Sequence, residues 1–330
     1  MNAVSRLFVT LLFGITASAA ALAQSNAPAE AGYPSRTIRI INPYSVGGPT
    51  DTLARIVGNG LSTRWGQPAF ADSKAGAGGG IGMELAARAP GDGYTLVVAP
   101  TGPLVINKHI FSDLRYDTAN DFAPISMLSS IDNVLIVSND LPAQNLKELV
   151  AYAKANPTKI SYGSPGVGTQ PHLASEMLKR ATGIQMIHSP YKGTTEALTA
   201  LMGNQITMLL AQQSSVSQLI LTGKVRAIGI ASNKRSPVLP SVPTLQEQGL
   251  TGFESASVYA LLAPKSTPAP IVEKLSNEVQ AILKDSVIRK RIADMGMDVV
   301  AGTSAELASF MRTESARYEK IVKEENLQAR

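Results

Sequence analysis

The 330-residue sequence contains no cysteine. A thiol nucleophile, a thiolate-held metal and disulfides are therefore excluded, and the fold has to rest on packing and hydrogen bonding. Histidine is scarce as well: His109, His172 and His188 are the only three. None is paired at a metal-ligand spacing such as H-E-x-x-H, so no metal or other cofactor is expected. Aromatic residues make up 5% of the chain, and a net charge of only +5 is spread along it with acids interleaved among Lys and Arg. Nucleic-acid binders concentrate basic residues in a stripe with aromatics, so nucleic acid is not an expected partner, while the mild excess of cations suits an anionic ligand. There is no repeat of fixed period, which argues against solenoids and propellers, and no Gly/Ser-rich linker, which favours paired crossovers between lobes over two consecutive domains joined by one linker. Beyond the N-terminus no apolar run reaches the roughly 20 residues that a bilayer core takes.

The N-terminus itself does carry an apolar run. Arg6 precedes Leu7 to Ile15, and small residues follow to Ala21-Leu22-Ala23, the order of a secretory signal peptide cleaved after Ala23. Residues 1–23 are thus expected to direct export and residues 24–32 to form a flexible polar tether. A membrane anchor is the alternative, for which the run is short. About 300 residues remain, more than one core comfortably organises, so two lobes are expected.

Short β-branched runs alternate with amphipathic patterns, the signature of an α/β protein. Strands are expected at Thr37 to Asn42, Tyr94 to Ala99, Ile160 to Gly163, Met186 to Ser189, Ile206 to Leu210 and Val225 to Ala231. Leu53, Ile56, Val57, Leu61 and Trp65 recur at helical spacing. Asn145 with Glu148, and Thr303 with Glu306, have the spacing of capping boxes. Phe122 to Val137 and Phe253 to Leu262 fit neither pattern and are read as paired crossovers. That reading assigns residues 33–131 plus 253–330 to lobe one and 132–252 to lobe two, with a cleft at the crossing.

Two loops have the chemistry of a ligand seat. Pro43-Tyr44-Ser45-Val46-Gly47-Gly48-Pro49-Thr50-Asp51 lies between a strand and a helix, where glycines permit a tight turn and first-turn amides are left free for an anion. It reads equally well as an ordinary turn capped by Asp51 or Thr50. Ser161 to His172 repeats the arrangement in the other lobe, with Ser164 and Thr169 as hydroxyl donors or as local turn residues. The glycine run Ala75 to Gly82 fails the dinucleotide register, since G-x-G-x-x-G begun at Gly76 meets Ile81. It reads instead as a bend near the cleft. Tyr162-Gly163-Ser164-Pro165-Gly166 lacks the leading glycine of a G-x-S-x-G elbow. A triad of Ser164, His188 and an aspartate is the enzymatic alternative, and His109 is expected at the surface.

Taken in order, these motifs resemble the periplasmic receptors of the tripartite tricarboxylate transporters, the Bug family. The likeness runs through Tyr33-Pro34, Gly47-Gly48-Pro49-Thr50-Asp51, Ala54-Arg55, Gly66-Gln67-Pro68 and Gly76-Ala77-Gly78-Gly79. It continues through Asp92-Gly93-Tyr94-Thr95-Leu96, Asp121-Phe122-Ala123-Pro124, Tyr162-Gly163-Ser164, Pro190-Tyr191-Lys192-Gly193 and Pro243-Thr244 with Glu247 and Gly249. The resemblance implies a two-lobed venus-flytrap fold, each lobe a mostly parallel sheet flanked by helices. It also implies a periplasmic monomer, without enzymatic activity, that passes a small carboxylate to membrane permease subunits. Delivery of the signal to a membrane receptor kinase is a further alternative. Implied ligand contacts are Tyr44, Gly47 and Gly48, then Pro100 and Thr101, then Ser164, Gly168, Thr169 and His172, with Gln212 added from lobe two. Two departures stand out: Asp72-Ser73-Lys74-Ala75 replaces the usual Glu-Asn-Arg/Lys-Pro, and Ala211 with Gln212-Gln213 stands where relatives place an acid. Without that acid the pocket has less reason to favour an ammonium group, which points to a di- or tricarboxylate or an aromatic acid.

Overall fold

A computed structural model describes residues 32–324 and 327; the expected signal peptide 1–23, and the tether as far as residue 31, lie outside the described residues. In chain order the strands are β1 (Ile38–Asn42), β2 (Ala69–Ser73), β3 (Thr95–Pro100), β4 (Phe122–Val137), β5 (Ser161–Ser164), β6 (Ile187–Pro190), β7 (Met208–Gln212), β8 (Arg226–Ile230), β9 (Ala256–Pro264) and β10 (Asp298–Gly302). The α-helices are α1 (Pro49–Trp65), α2 (Gly80–Ala87), α3 (Asn107–Ile110), α4 (Thr118–Asp121), α5 (Leu146–Ala155), α6 (Gln170–Thr182), α7 (Thr194–Met202), α8 (Gln213–Leu221), α9 (Ala269–Lys284), α10 (Ser286–Asp294) and α11 (Ser304–Glu324). No helix among the described residues is long and apolar enough to cross a membrane.

The two lobes each have a three-stranded parallel centre. In one, β1 pairs in parallel with β2 and β3; in the other, β5 pairs in parallel with β6 and β7. The long strand β4 joins them. Its residues Phe122 to Asp132 run antiparallel to β9, and Asn133 to Val137 run antiparallel to β7 and β8. The segments that broke the strand–helix alternation in the sequence are therefore the two antiparallel crossover strands. Their irregular pattern has a local cause. Register shifts fall between Pro124 and Ser126 and between Met127 and Ser129, and the hydroxyls of Ser126 and Ser129 donate to the carbonyls of Gly302 (2.7 Å) and Asp298 (3.0 Å). Bulged, serine-bearing positions of this kind interrupt any clean period of two.

Past the crossing the period returns. Leu135 and Val137 enter one buried cluster with Tyr162, Leu178 and Met208, whereas Val134 and Ile136 enter another with Leu201, Leu209 and Ala211. The second sheet is thus covered on both faces, and each fully buried aliphatic side chain contributes about 1.5–3 kcal/mol. The helix caps follow the sequence. Asn145 accepts from the Glu148 amide at 2.9 Å, although the Glu148 carboxylate reaches the Gln144 amide (2.8 Å) rather than that of Asn145. Thr303 and Glu306 form the reciprocal pair, at 2.7 and 3.2 Å. His109 departs from its expected place at the surface. It is half-buried, with Nε2 3.0 Å from Ser315 Oγ of α11, rather than free at the surface.

Candidate ligand cleft

At the end of β1 the fully buried Asn42 side chain shapes the first loop, donating to the Tyr44 carbonyl (2.8 Å) and accepting from the Tyr44 amide (3.1 Å). Gly47 follows at φ +86°, a left-handed conformation that favours glycine. Its amide is already committed, because the Asp51 carboxylate accepts it at 3.1 Å and is itself held by Arg55 Nε at 3.0 Å. Gly48 is the N-cap of α1 and Pro49 opens the helix. With Gly47 occupied, the loop's free donors at the start of α1 are the amides of Gly48, Thr50 and Asp51. Tyr44 is pinned by its hydroxyl to the Gly78 carbonyl at 2.9 Å, and a Cβ on Gly79 would come within 3.1 Å of that hydroxyl. The glycine bend thus shapes the cleft indirectly, by seating Tyr44.

Thr101, at the end of β3, is tied to the crossover: its hydroxyl accepts from the Val258 amide at 2.7 Å. From the second lobe, Thr169 caps α6, donating to the Gly166 carbonyl at 2.7 Å and accepting from the His172 amide at 3.4 Å. Gln212 accepts from Thr194 (3.2 Å) and donates to Ser257 of β9 (3.4 Å). Gln170, Asn133 and Ser255 form a buried amide–hydroxyl network where β4 crosses between sheets.

These groups enclose one cleft. Its lining draws on Tyr44, Gly48 and Thr50, on Pro100 and Thr101, on Thr169 and Gln170, and on Thr194, Gln212 and Tyr259. Its volume, including the open mouth, is about 420 Å³. No Asp, Glu, Lys, Arg or His lines it. Burial raises the pKa of both Tyr44 and Tyr259, which keeps them neutral. Instead of side-chain charge, the cleft collects helix starts: α1 at Pro49 and Thr50, α6 at Gln170 and Pro171, α7 at Thr194, and α8 at its N-cap Gln212. Each start carries partial positive charge and unfilled amides, an environment that favours an anion without a formal counter-charge.

The family model described as the tripartite tricarboxylate transporter family receptor matches residues 53–327. The chain belongs to this receptor family. The solved periplasmic binding protein BugD is 33% identical, covering 90% of this chain and 100% of its own, with a TM-score of 0.87. Rpa4515 of R. palustris, solved with adipate, is 30% identical over 89% of this chain and 98% of that one, with a TM-score of 0.86. MatC from Rhodopseudomonas palustris, solved with bound malate, is 32% identical over 88% and 100%, with a TM-score of 0.84. The receptor accordingly has the two-lobed fold of periplasmic binding proteins, and its family and structural neighbours are solute-binding receptors.

Of the residues singled out in the receptor's sequence, Tyr44, Gly48, Pro100, Thr101, Thr169 and Gln212 line the cleft, whereas Gly47, Ser164, Gly168 and His172 do not. Gly47 is engaged by Asp51, as above. Gly168, at φ +80°, packs against lobe one, where a Cβ would lie 2.4 Å from Asn107 Oδ1. Ser164 has no exposed surface; its Oγ lies 2.7 Å from His188 Nε2 and accepts the Gly166 amide at 3.2 Å. His172 stacks on His188 with ring centroids 4.4 Å apart, and His188 stacks on Tyr162 at 4.6 Å. Ala211 also turns away from the cleft into an apolar cluster, so the position that faces the ligand space is Gln212. Sequence reasoning missed Thr194, Ser257 and Tyr259. Thr194 follows the Pro190 to Gly193 motif, which marked its neighbourhood. Ser257 and Tyr259 lie on β9, where the crossover reading could have pointed to cleft-facing residues.

Proposed function

We propose that this receptor reversibly captures a small organic carboxylate in the interlobe cleft and delivers it to the membrane permease subunits of a tripartite transporter. The observation that carries this reading is the meeting of four α-helix N-termini around a lining with no Asp, Glu, Lys, Arg or His. A carboxylate docks on the free amides of Gly48 and Thr50, and lobe two closes over it with Thr169, Thr194 and Gln212. Exclusion of water then strengthens each polar contact. Lobe one comprises residues 33–131 plus 253–330 and lobe two residues 132–252, hinged on β4 and β9. Groups from both lobes line the cleft, so entry requires the lobes to part. The adipate and malate held by two of the structural neighbours favour dicarboxylates of four to six carbons as first candidates. The protein works in the periplasm as a monomer, without cofactor and without turnover of its ligand.

Calorimetric titration against dicarboxylates, tricarboxylates, aromatic acids, amino acids and sugars tests this. Micromolar or tighter binding of a carboxylate is expected. If carboxylates bind only in the millimolar range while a sugar or a cation binds tightly, the reading fails.

A further inference from the structure

One acidic side chain crosses from lobe two to lobe one beside the cleft. Ser45 Oγ donates to Glu196 Oε1 at 2.6 Å, and both Ser45 and Thr194, two residues before Glu196, line the cleft. The neighbouring Thr195 hydroxyl lies 3.5 Å from the Val46 carbonyl. The first turn of α7 therefore grips residues 45 and 46, directly before the Gly47-Gly48 turn. Gly193 leaves room for the contact, since a Cβ there would come within 3.0 Å of Glu196 Oε2 and 3.1 Å of Ser45 Oγ. As the third residue of α7, Glu196 also sits where the helix dipole favours a negative charge. Its Oε2 is buried with no hydrogen-bond partner among the described residues. An unpaired buried oxygen is unfavourable, which argues that the carboxylate is held in place by its bond to Ser45 rather than by its local surroundings.

We propose that Glu196 is a positioning residue for capture: its bond to Ser45 holds the lobes closed and sets how long the solute stays bound. The role rests on the carboxylate-capture reading above for its biological meaning, while the interlobe contact itself is given by the Ser45–Glu196 geometry. A charge-assisted hydrogen bond that is made only in the closed form shifts the open–closed equilibrium by its full net worth. Its loss accelerates solute release by on the order of tenfold. Because encounter takes place in the open form, the association rate rises only as far as the open fraction of the free receptor does.

The absence of native cysteine allows a spin-label pair at two exposed helix positions, Asn59→Cys in α1 and Lys147→Cys in α5, to report the interlobe distance. In the ligand-free protein Glu196→Ala is expected to lower the closed fraction, and Glu196→Gln, which keeps a neutral acceptor for Ser45, to restore about half of it. Stopped-flow release of a bound dicarboxylate should follow the same order. Ser45→Ala is expected to speed release in the native background and to add little once Glu196 is alanine. Unchanged distances and release rates in Glu196→Ala overturn the proposal. So does a Ser45→Ala effect of equal size in both backgrounds, which would mean that Ser45 acts on the solute directly. If no carboxylate binds even the native protein, the functional reading falls, and the ligand-free distances still decide the latch.

Discussion

Ser164 Oγ lies 2.7 Å from Nε2 of His188, a serine–histidine pair assembled behind the cleft rather than in it. In a hydrolase the serine would face substrate and a third group would orient the imidazole. Here Ser164 has no exposed surface, and no carboxylate bonds His188 among the described residues. The pair instead anchors the loop through the Gly166 amide. Ser164→Ala should therefore destabilise the fold by about 1–2 kcal/mol, through the donor and acceptor left unpaired, and change ligand affinity by less than about twofold. Urea unfolding and calorimetry on the same preparation measure both. Ester hydrolysis by the native protein that disappears in this variant would contradict the assignment.

The stacked histidines make stability depend on pH with a definite sign. Burial, followed by the neighbouring His172, lowers the His188 pKa from 6.5 to about 3, and burial lowers that of His172 as well. Between about pH 6.5 and 3 the unfolded chain takes up protons that the folded chain refuses, so stability falls as pH falls through this window. Above pH 6.5 both states are neutral at these sites and the contribution is flat. Denaturation midpoints measured from pH 8 to pH 4 should show the decline, and His188→Gln should make it shallower. An unaltered slope in that variant would assign the acid sensitivity to other groups.

Much of the architecture is legible in the sequence because its causes are local. The strand expected at Thr37 to Asn42, the α1 stripe and the caps at Asn145 and Thr303 follow from spacing and side-chain chemistry within a few residues. The crossovers were detectable only as failures of the local pattern. Their bulges answer to β10, which lies some 170 residues further on. The site divides in the same way. Helix starts are written in glycine, proline and threonine, so Gly48 and Thr169 were found from the loops themselves, whereas Thr101 came only with the family resemblance. What the sequence could not convey is which amide is already taken. Asp51 fills the Gly47 donor from four residues away, and a strand beginning at Met208 turns Ala211 inward and Gln212 toward the ligand space. A shift of one residue along a strand exchanges core for cleft.

The close approach of the lobes depends on glycine at Gly102. A Cβ there would stand 2.7 Å from the Gly168 carbonyl and 3.1 Å from Thr169 Cα, and Gly102 is not among the positive-φ glycines. Gly102→Ala therefore introduces a steric block without backbone strain of its own. Ligand affinity should fall by about tenfold or more, since closure must stop short of the Thr169 contact. The unfolding midpoint should move little. Gly78→Ala is a harsher companion, because its Cβ would fall 2.1 Å from the Val167 carbonyl at φ +58°, so lost stability is expected there as well. Native affinity in Gly102→Ala would mean that capture does not need the lobes this close.

If the cleft captures a carboxylate as proposed, Gln212 is the lining residue expected to set the sign of charge it accepts. It is 6% exposed, it lines the cleft, and both ends of its amide are engaged, by Thr194 and by Ser257. Gln212→Glu is nearly isosteric and keeps the acceptor for Thr194, so the fold should tolerate it while the cleft gains a negative charge. A dicarboxylate then meets a like charge in a poorly hydrated space, which should weaken its binding by at least about tenfold. An analogue of the same length bearing an ammonium group loses less and can gain, because the new carboxylate offers it a partner. Paired calorimetric titrations of a dicarboxylate and its amino counterpart, against the native protein and the variant, read this as a change in the ratio of the two affinities. A ratio that stays constant would mean that the ligand binds beyond the reach of residue 212.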